Sequence, residues 1–280
     1  MKVVSLFDGI SCARVALDRA SVETEEYHAS EIDKYAIQIS KKNHPTVKHI
    51  GNVKDITGFD FQVDLLIGGS PCQDLSIGKK GRTGLDGDRS SLFWEYVRIK
   101  ALCMPKWFIL ENVASMSMKD KAIITETMGV QPIVIDASLV SAQSRKRLFW
   151  TNIPNVSLPA DRFIFMKDIS VDGSIIGRDI GRRLNKDGVR EDYNKDLPIT
   201  RRIELRTDGK CGTLTSVTKD NIVVNGDKVR KLYPIECERL QGLPDGYTSG
   251  ISDTQRYKCL GNAFNVDVIA HILSFIPNSN

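Results

Sequence analysis

The sequence predicts an α/β protein in which a doubly wound, Rossmann-like and mostly parallel sheet carries a second, smaller domain. The chain has 280 residues, enough for one full α/β core and a further lobe. From residue 2 to about 150, short apolar runs alternate with segments whose apolar residues recur every three or four positions. This alternation is typical of βα units. Past Pro154 the composition changes to Gly, Asp, Arg and Lys with short β-like stretches, which indicates a different lobe.

Each predicted element follows from one of these patterns. Apolar runs predict strands at Val3–Phe7, Val63–Ile67, Trp107–Leu110 and Ile133–Ile135. Helical spacing covers Cys12–Ala20, Lys34–Lys42, Leu92–Leu102 and Lys121–Met128. Later in the chain, strands are predicted at Thr213–Val217 and Asn221–Val224, and helices at Ile235–Leu240 and Val266–Ile276. We therefore expect a first domain over residues 1–154, a second over 155–227, and a segment 228–280 that returns to the first.

The composition excludes several classes of protein. No apolar run is long enough to cross a membrane, and the N-terminus lacks the pattern of a signal peptide. The six cysteines include no Cys-x-x-Cys pair, so neither a metal site nor a disulfide scaffold is indicated. The net charge of +4 and several basic clusters are compatible with a polyanionic partner, although each cluster alone is more often a solvated face.

A ligand-binding turn is predicted where the first strand ends. The strand breaks at Gly9 and a helix opens beyond it, and in such sheets ligands lie outside the carboxyl ends of the strands. Glu31, about 20 residues further on, is placed to bind ribose hydroxyls, and Asp55 is a candidate for an adenine amino group. The alternatives are a surface glutamate and a helix cap. Without Gly-x-Gly-x-x-Gly or Gly-Lys-Ser/Thr, neither a pyrophosphate nor a triphosphate is favoured.

A reactive cysteine is predicted at the same edge of the sheet. The strand Val63–Ile67 runs into Gly68-Gly69-Ser70-Pro71-Cys72, and a structural cysteine would normally sit inside an apolar run instead. The basic, glycine-rich residues that follow predict a mobile loop suited to closing over an anionic substrate. Glu111 follows the next strand, where a carboxyl group is more often functional than a helix cap.

Three segments resemble, in order and spacing, motifs of the cytosine-5 methyltransferase family: Gly-Gly-Ser-Pro-Cys-Gln at 68–73, Glu-Asn-Val at 111–113 and Gln-Ser-Arg-Lys-Arg at 143–147. Segments 230–244 and 261–263 resemble the last two motifs of the family. The resemblance covers residues 3 to about 153 and 228 to about 272, and is closest to the branch that includes the animal de novo enzymes. Ser11 stands where a second glycine is usual, and Ser70 where a proline is usual.

The resemblance implies a DNA (cytosine-5-)-methyltransferase on the fold of S-adenosylmethionine-dependent methyltransferases, with S-adenosylhomocysteine as the product. A target cytosine is flipped out of duplex DNA, and Cys72 attacks its C6 atom, because C5 is a poor nucleophile until the ring loses its aromaticity. Glu111 then bonds to N3, while Arg145 and Arg147 contact the base and the cysteine loop.

The resemblance also assigns the binding residues. Those expected to bind S-adenosylmethionine are Phe7, Asp8, Gly9, Ile10, Glu31, Ile32, Asp55, Ile56, Pro71, Leu92, Asn262 and Phe264. Residues 155–227 take the place of the target-recognition domain. Candidate DNA contacts, chosen as basic or hydroxyl side chains of the cysteine loop and of this domain, are Ser76, Lys79, Lys80, Arg82, Arg201, Arg202, Arg206, Thr213 and Thr215.

The expected partner is therefore double-stranded DNA, with no membrane and no obligate protein partner. We expect a cytoplasmic protein, prokaryotic or phage-encoded, of the kind used in restriction–modification.

Three alternatives stay open. A relative acting on transfer RNA would share the chemistry, but that subgroup carries a Cys-Phe-Thr tripeptide and no cysteine here precedes a phenylalanine. A catalytically inactive binding module would lack the Pro-Cys pair, which is present. An unrelated small-molecule methyltransferase on a similar sheet would make Cys72 and Glu111 incidental, and the basic loop and second lobe argue against it.

Overall fold

The computed structural model describes residues 1–70, 92–172, 175–215 and 221–277. Its larger sheet has the strand order β3-β2-β1-β4-β5-β7-β6, in which the pairs from β3 to β5 are parallel and β7 runs antiparallel to both of its neighbours. The strands are β1 Lys2–Leu6, β2 Glu26–Ser30, β3 Lys48–Gly51, β4 Leu65–Gly69, β5 Trp107–Val113, β6 Ile133–Asp136 and β7 Lys146–Thr151. The predicted mostly parallel sheet is confirmed.

Apolar side chains from the central strands fill both faces of this sheet. Val3 and Ile67 belong to one buried cluster, while Val4, Leu6 and Leu66 belong to the cluster on the opposite face. A parallel strand covered on both sides needs an apolar run without alternation. For this reason β1 and β4 were predictable from their sequences.

Helices flank the sheet, and several begin at a side chain that caps them. They are α1 Cys12–Arg19, α2 Lys34–Asn43, α3 Leu92–Cys103, α4 Met118–Met128, α5 Met166–Ile169, α6 Pro234–Leu240, α7 Asp253–Asn262 and α8 Val266–Leu273. Asp33, Ser117 and Asn265 accept backbone N–H groups at the starts of α2, α4 and α8. Gly129, with φ 72°, ends α4 in the left-handed region that glycine adopts at no steric cost.

A second, four-stranded sheet follows the first domain. Its order is β11-β10-β8-β9, all antiparallel, with strands β8 Ile175–Arg183, β9 Ile199–Leu205, β10 Ile222–Asn225 and β11 Lys228–Lys231. β11 lies just past residue 227, the predicted end of the second domain. The division of the chain into three segments stays a prediction.

The sequence prediction differs from the structure at several elements. It missed β2 and β3, which are short and partly polar, and β7, whose apolar residues follow two basic ones. The strand expected at Thr213–Val217 is wrong over 213–215, because this segment bonds to residues 142–145 without forming a regular strand; Ser216 and Val217 lie outside the described residues. Within the described ranges no helix is long and apolar enough to cross a membrane.

Candidate active site

The first part of the site is the turn between β1 and α1. Phe7, Gly9 and Ser11 all have positive φ angles, of 56°, 61° and 61°. The Gly9 N–H donates to Glu31 Oε2 at 2.8 Å, which ties the turn to the end of β2. Space around Gly9 is open, since an added Cβ would meet no atom within 4 Å. The turn therefore leaves backbone accessible to a ligand, as the sequence predicts.

Glu31 organises the loop after β2 as well as the turn. Its second oxygen, Oε1, accepts the N–H groups of Ile32 at 2.7 Å and Asp33 at 2.8 Å. With three backbone bonds, Glu31 is not a simple surface glutamate. Ile32 is 73% exposed beside it, an apolar surface that a flat ring could cover.

Asp8 is buried in this turn between two hydroxyl groups. Tyr27 Oη and Ser11 Oγ each lie 2.5 Å from one of its carboxylate oxygens. Burial raises the pKa of Asp8 to about 6, although the hydroxyl groups of Ser11, Ser5 and Tyr27 act in the opposite direction. Sequence reasoning assigned Asp8 to the ligand but did not find the residues around it.

The other predicted ligand-binding residues that the structure describes differ in exposure. Asp55 is exposed and Ile56 is buried, and Asn52 rather than Asp55 caps the short helical turn Val53–Asp55. Leu92 is half-buried at the start of α3. Asn262 is exposed at the end of α7. Pro71 lies outside the described residues.

The second part of the site lies where β4 and β5 end. Glu111 pairs with Gly69 across the sheet, and its Oε1 forms an ion pair of 2.8 Å with Arg147 Nε. Both side chains are about seven-eighths buried, at 13% and 14% exposure. A Cβ on Gly69 would lie 2.7 Å from Phe264 Cε1 and 3.1 Å from Glu111 Oε2. Only glycine therefore allows Phe264 and Glu111 to close against this strand.

Arg145, Arg147, Glu111 and Phe264 line one small cavity. The buried Arg145 guanidinium donates to the carbonyl groups of Leu214 at 2.9 Å, Ala263 at 2.9 Å and Gly261 at 3.3 Å. Sequence reasoning gave Arg145 a contact with the base. That contact stays a prediction; in the structure Arg145 also links three segments of the chain.

Cys72 lies outside the described residues, as do Ser76, Lys79, Lys80 and Arg82. The chain that leads to them is held at Ser70, whose Oγ accepts the Asn112 side-chain N–H at 3.1 Å. Asn112 is fully buried and neighbours Glu111 in sequence. Ser70, where the family more often has proline, thus supplies a polar contact to the Glu-Asn-Val motif.

The five cysteines that the structure describes are unsuited to nucleophilic attack. Burial raises the pKa of every one of these thiols: Cys12, Cys103, Cys211, Cys237 and Cys259. A thiol with a raised pKa holds its proton and reacts slowly. In the described ranges no three His, Cys, Asp or Glu side chains converge on a metal site.

The candidate DNA contacts of the second sheet form ion pairs within the chain. Arg201 pairs with Asp179 at 2.8 Å and Arg202 with Glu204 at 3.0 Å, and Arg206 pairs with Asp208. Such exposed pairs contribute only about 0–1 kcal/mol, so a phosphate could replace the carboxylate. Thr213 Oγ1 donates to the Ser144 carbonyl at 2.8 Å, and Thr215 is exposed.

The mostly parallel sheet with an antiparallel β7 between β5 and β6 is the Rossmann-like fold of S-adenosylmethionine-dependent methyltransferases. A family profile described as C-5 cytosine-specific DNA methylase matches residues 1–158 and 174–278. The chain belongs to this family. It is accordingly a DNA cytosine-5 methyltransferase that uses S-adenosylmethionine as methyl donor.

Individual relatives agree with this assignment. The chain is 29% identical to the type II methyltransferase M1.ScrFI of Lactococcus lactis subsp. cremoris, over 96% of this chain and 76% of that protein. It is 26% identical to the type II methyltransferase M.HhaI of Haemophilus parahaemolyticus, over 100% of this chain and 95% of that protein. The kinship with the de novo branch stays a prediction.

Solved structures share the fold at low sequence identity. The methyltransferase EhMeth of Entamoeba histolytica has a TM-score of 0.69 at 16% identity, covering 98% of this chain and 97% of that one. A DNMT2 mutant of Spodoptera frugiperda has a TM-score of 0.68 at 17% identity, covering 98% of both chains.

Replacing Glu31 with Gln should weaken binding of S-adenosylhomocysteine about tenfold, because an amide has one acceptor oxygen where three backbone N–H groups now bond. Isothermal titration calorimetry measures the affinity. The matched control is Glu23→Gln. Glu23 is an exposed glutamate in the segment before β2, and its substitution should leave affinity unchanged. Equal affinities for both variants would contradict the role given to Glu31.

Replacing Arg145 with Ala should lower the free energy of unfolding by about 3 kcal/mol or more, since three carbonyl groups lose their donor. Urea unfolding followed by circular dichroism tests this. Arg201→Ala, which removes an exposed ion pair, should cost no more than about 1 kcal/mol. Similar losses from the two variants would show that Arg145 does not link the segments.

Proposed function

We propose that the chain methylates cytosines of double-stranded DNA by covalent catalysis, with Cys72 as the nucleophile and Glu111 as the partner of the cytosine N3 atom. The observation that carries this proposal is the cluster at the end of β4, where Phe264 and Glu111, which is paired with Arg147 at 2.8 Å, lie beside Gly69, three residues before Cys72. A flipped cytosine needs polar partners at such an edge, because its reactive face is hidden within the stacked duplex until it is extruded.

Cys72 is favoured as the nucleophile by its sequence position and by the chemistry of the other cysteines. It follows Ser70, which Asn112 holds next to Glu111. The five described thiols are held in their neutral form by burial, whereas the basic residues Lys79, Lys80 and Arg82 follow Cys72 in sequence and would stabilise a thiolate. Attack of that thiolate on C6 forms a C–S bond and moves ring electrons toward N3.

Glu111 would neutralise the charge that develops at N3. A proton shared between its carboxyl group and N3 would do this, and the 2.8 Å ion pair between Glu111 Oε1 and Arg147 Nε holds the side chain in place. Arg147 holds the Glu111 side chain in place and would contact the O2 carbonyl oxygen of the cytosine. Once C5, now an enamine carbon, has received the methyl group, removal of the C5 proton by a base would break the C–S bond and free Cys72.

The turn residues would hold S-adenosylmethionine, which supplies the methyl group as an electrophile. Open backbone at Gly9, the anchored carboxylate of Glu31 and the exposed side chain of Ile32 suit a ligand with a ribose and a flat ring. Phe264 contacts the same edge as Glu111, so it would line the cofactor site next to the base. Phe7, Asp8, Ile10, Asp55, Ile56, Pro71, Leu92 and Asn262 complete the proposed set.

The second sheet would bind DNA through its basic residues. Arg201, Arg202 and Arg206 lie on or next to β9, where their carboxylate partners can be exchanged for phosphates. Ser76, Lys79, Lys80 and Arg82 of the cysteine loop, with Thr213 and Thr215, would contact the flipped strand. The relatives named as type II methyltransferases suggest a role in restriction–modification, without an obligate protein partner.

Cys72→Ser should reduce methyl transfer to a trace, because a hydroxyl group is a far weaker nucleophile than a thiolate. Bisulfite sequencing of duplex DNA incubated with the protein and S-adenosylmethionine measures transfer and its sequence context. Cys103→Ser is the matched control: this half-buried thiol has a pKa raised by burial to about 11, and its loss should leave transfer intact. Ample methylation by Cys72→Ser would exclude covalent catalysis.

Glu111→Gln should slow methyl transfer by about two orders of magnitude while changing DNA affinity only a few-fold, because the amide cannot share a proton with N3. Single-turnover rates and fluorescence anisotropy with duplex DNA measure the two quantities. If rate and affinity fell together by the same factor, Glu111 would be a binding residue instead.

A further inference from the structure

Ser11 has a conformation and a set of contacts that a helix cap does not explain. It precedes α1 with φ 61° and ψ 36°, in the left-handed region, and it is fully buried. A serine at this position normally accepts a backbone N–H from the helix, but Ser11 forms no side-chain cap bond. Glycine would adopt the same backbone with less strain. The hydroxyl group must therefore serve another purpose.

That hydroxyl belongs to a chain of buried hydrogen bonds that ends at Asp8. Ser11 Oγ lies 2.5 Å from Asp8 Oδ2 and 2.6 Å from Ser40 Oγ of α2. Ser40 Oγ lies in turn 3.2 Å from His49 Nε2 on β3. The chain thus crosses from the third strand, through a helix, to the turn after the first strand.

The direction of these bonds follows from the number of hydrogens. A hydroxyl group has one hydrogen, so each bond in the chain fixes the next. His49 Nδ1 is buried and has no partner in the described part of the protein. A buried N–H without an acceptor costs more than an unpaired acceptor nitrogen, which favours the tautomer with hydrogen on Nε2. His49 then donates to Ser40, Ser40 to Ser11, and Ser11 to an ionised Asp8.

We propose that Ser11, Ser40 and His49 are positioning residues which hold Asp8 as a carboxylate in the S-adenosylmethionine turn, so that its negative charge stabilises the bound cationic donor. This inference rests on the proposed cofactor site. It explains why a serine occupies a left-handed position that glycine would fill at lower cost. In the low dielectric of this turn, one buried negative charge has a large effect on a cationic ligand.

Cofactor affinity should depend on pH through the charge of Asp8. The titratable groups that face Asp8 are Glu31, Tyr27 from β2, Cys12 from α1 and Tyr247. Burial raises the pKa of the tyrosines and of the cysteine, so these three groups stay neutral near neutral pH. Asp8, with its pKa of about 6, loses its charge below that pH. Affinity for the cofactor should therefore rise as pH increases through about 6 and level off above it.

The test is calorimetric titration of the full chain with S-adenosylmethionine, whose sulfonium carries the positive charge, between about pH 5 and pH 8. Ser11→Ala removes a hydrogen bond to the carboxylate, so the midpoint should move to higher pH and affinity near neutral pH should fall about tenfold. Ser40→Ala should also move the midpoint to higher pH. His49→Gln keeps a donor nitrogen and should bind like the wild type, whereas His49→Leu should resemble Ser40→Ala.

Ser21 provides a matched control for backbone strain. It is an exposed serine just past the other end of α1, with φ 54°. Ser21→Gly and Ser11→Gly relieve the same left-handed cost, and thermal unfolding of each variant reports that gain. Only Ser11→Gly should lose cofactor affinity and shift the pH midpoint. If Ser11→Gly is stabilised like Ser21→Gly with unchanged affinity and midpoint, the proposal is overturned.

The variants distinguish the role of the hydrogen-bond chain from the existence of the cofactor site. Unchanged affinity in Glu31→Gln would contradict the site itself. Loss of affinity in Glu31→Gln, together with wild-type pH curves in Ser11→Ala and Ser40→Ala, would overturn only the role of the hydrogen-bond chain.

Discussion

The active-site architecture depends on one buried cation. The guanidinium group of Arg145 bonds to carbonyl groups of Leu214, Gly261 and Ala263, which belong to two segments far from it in sequence. A buried charge is stable only where such partners are in place. The segment before β7, the segment that leads into the second sheet and the end of α7 therefore stabilise one another, and the C-terminal part of the chain is tied to the larger sheet.

Next to this link, a glycine without a side chain, Gly69, lets the two parts of the site approach each other. Gly69 leaves room for Phe264 and Glu111 to approach the end of β4. A proposed cofactor contact and the proposed partner of the base thus meet at one point of the sheet edge. This arrangement suits methyl transfer, in which donor and acceptor atoms must be held in near-attack geometry.

The sequence predicted those parts of the fold and site that depend on local pattern. The buried strands β1 and β4 are uninterrupted apolar runs, and Glu111 and Gly9 follow from the rule that ligands lie at the carboxyl ends of strands. The environment of Asp8 was not predictable, because Tyr27, Ser40 and His49 are brought to it by packing alone. The basic residues of β9 were predicted to bind phosphate, but local sequence could not indicate their pairing with nearby carboxylates.

Attack by a sulfur atom at position 72 is the central claim, and trapping of a covalent intermediate tests it most directly. Duplex DNA with 5-fluorocytosine at the target lacks the C5 proton whose removal frees the enzyme. Incubation with the protein and S-adenosylmethionine should yield a denaturation-resistant complex, and peptide mass spectrometry should locate the DNA on the peptide that contains Cys72. Recovery of free protein alone, or of an adduct on another residue, would contradict the claim.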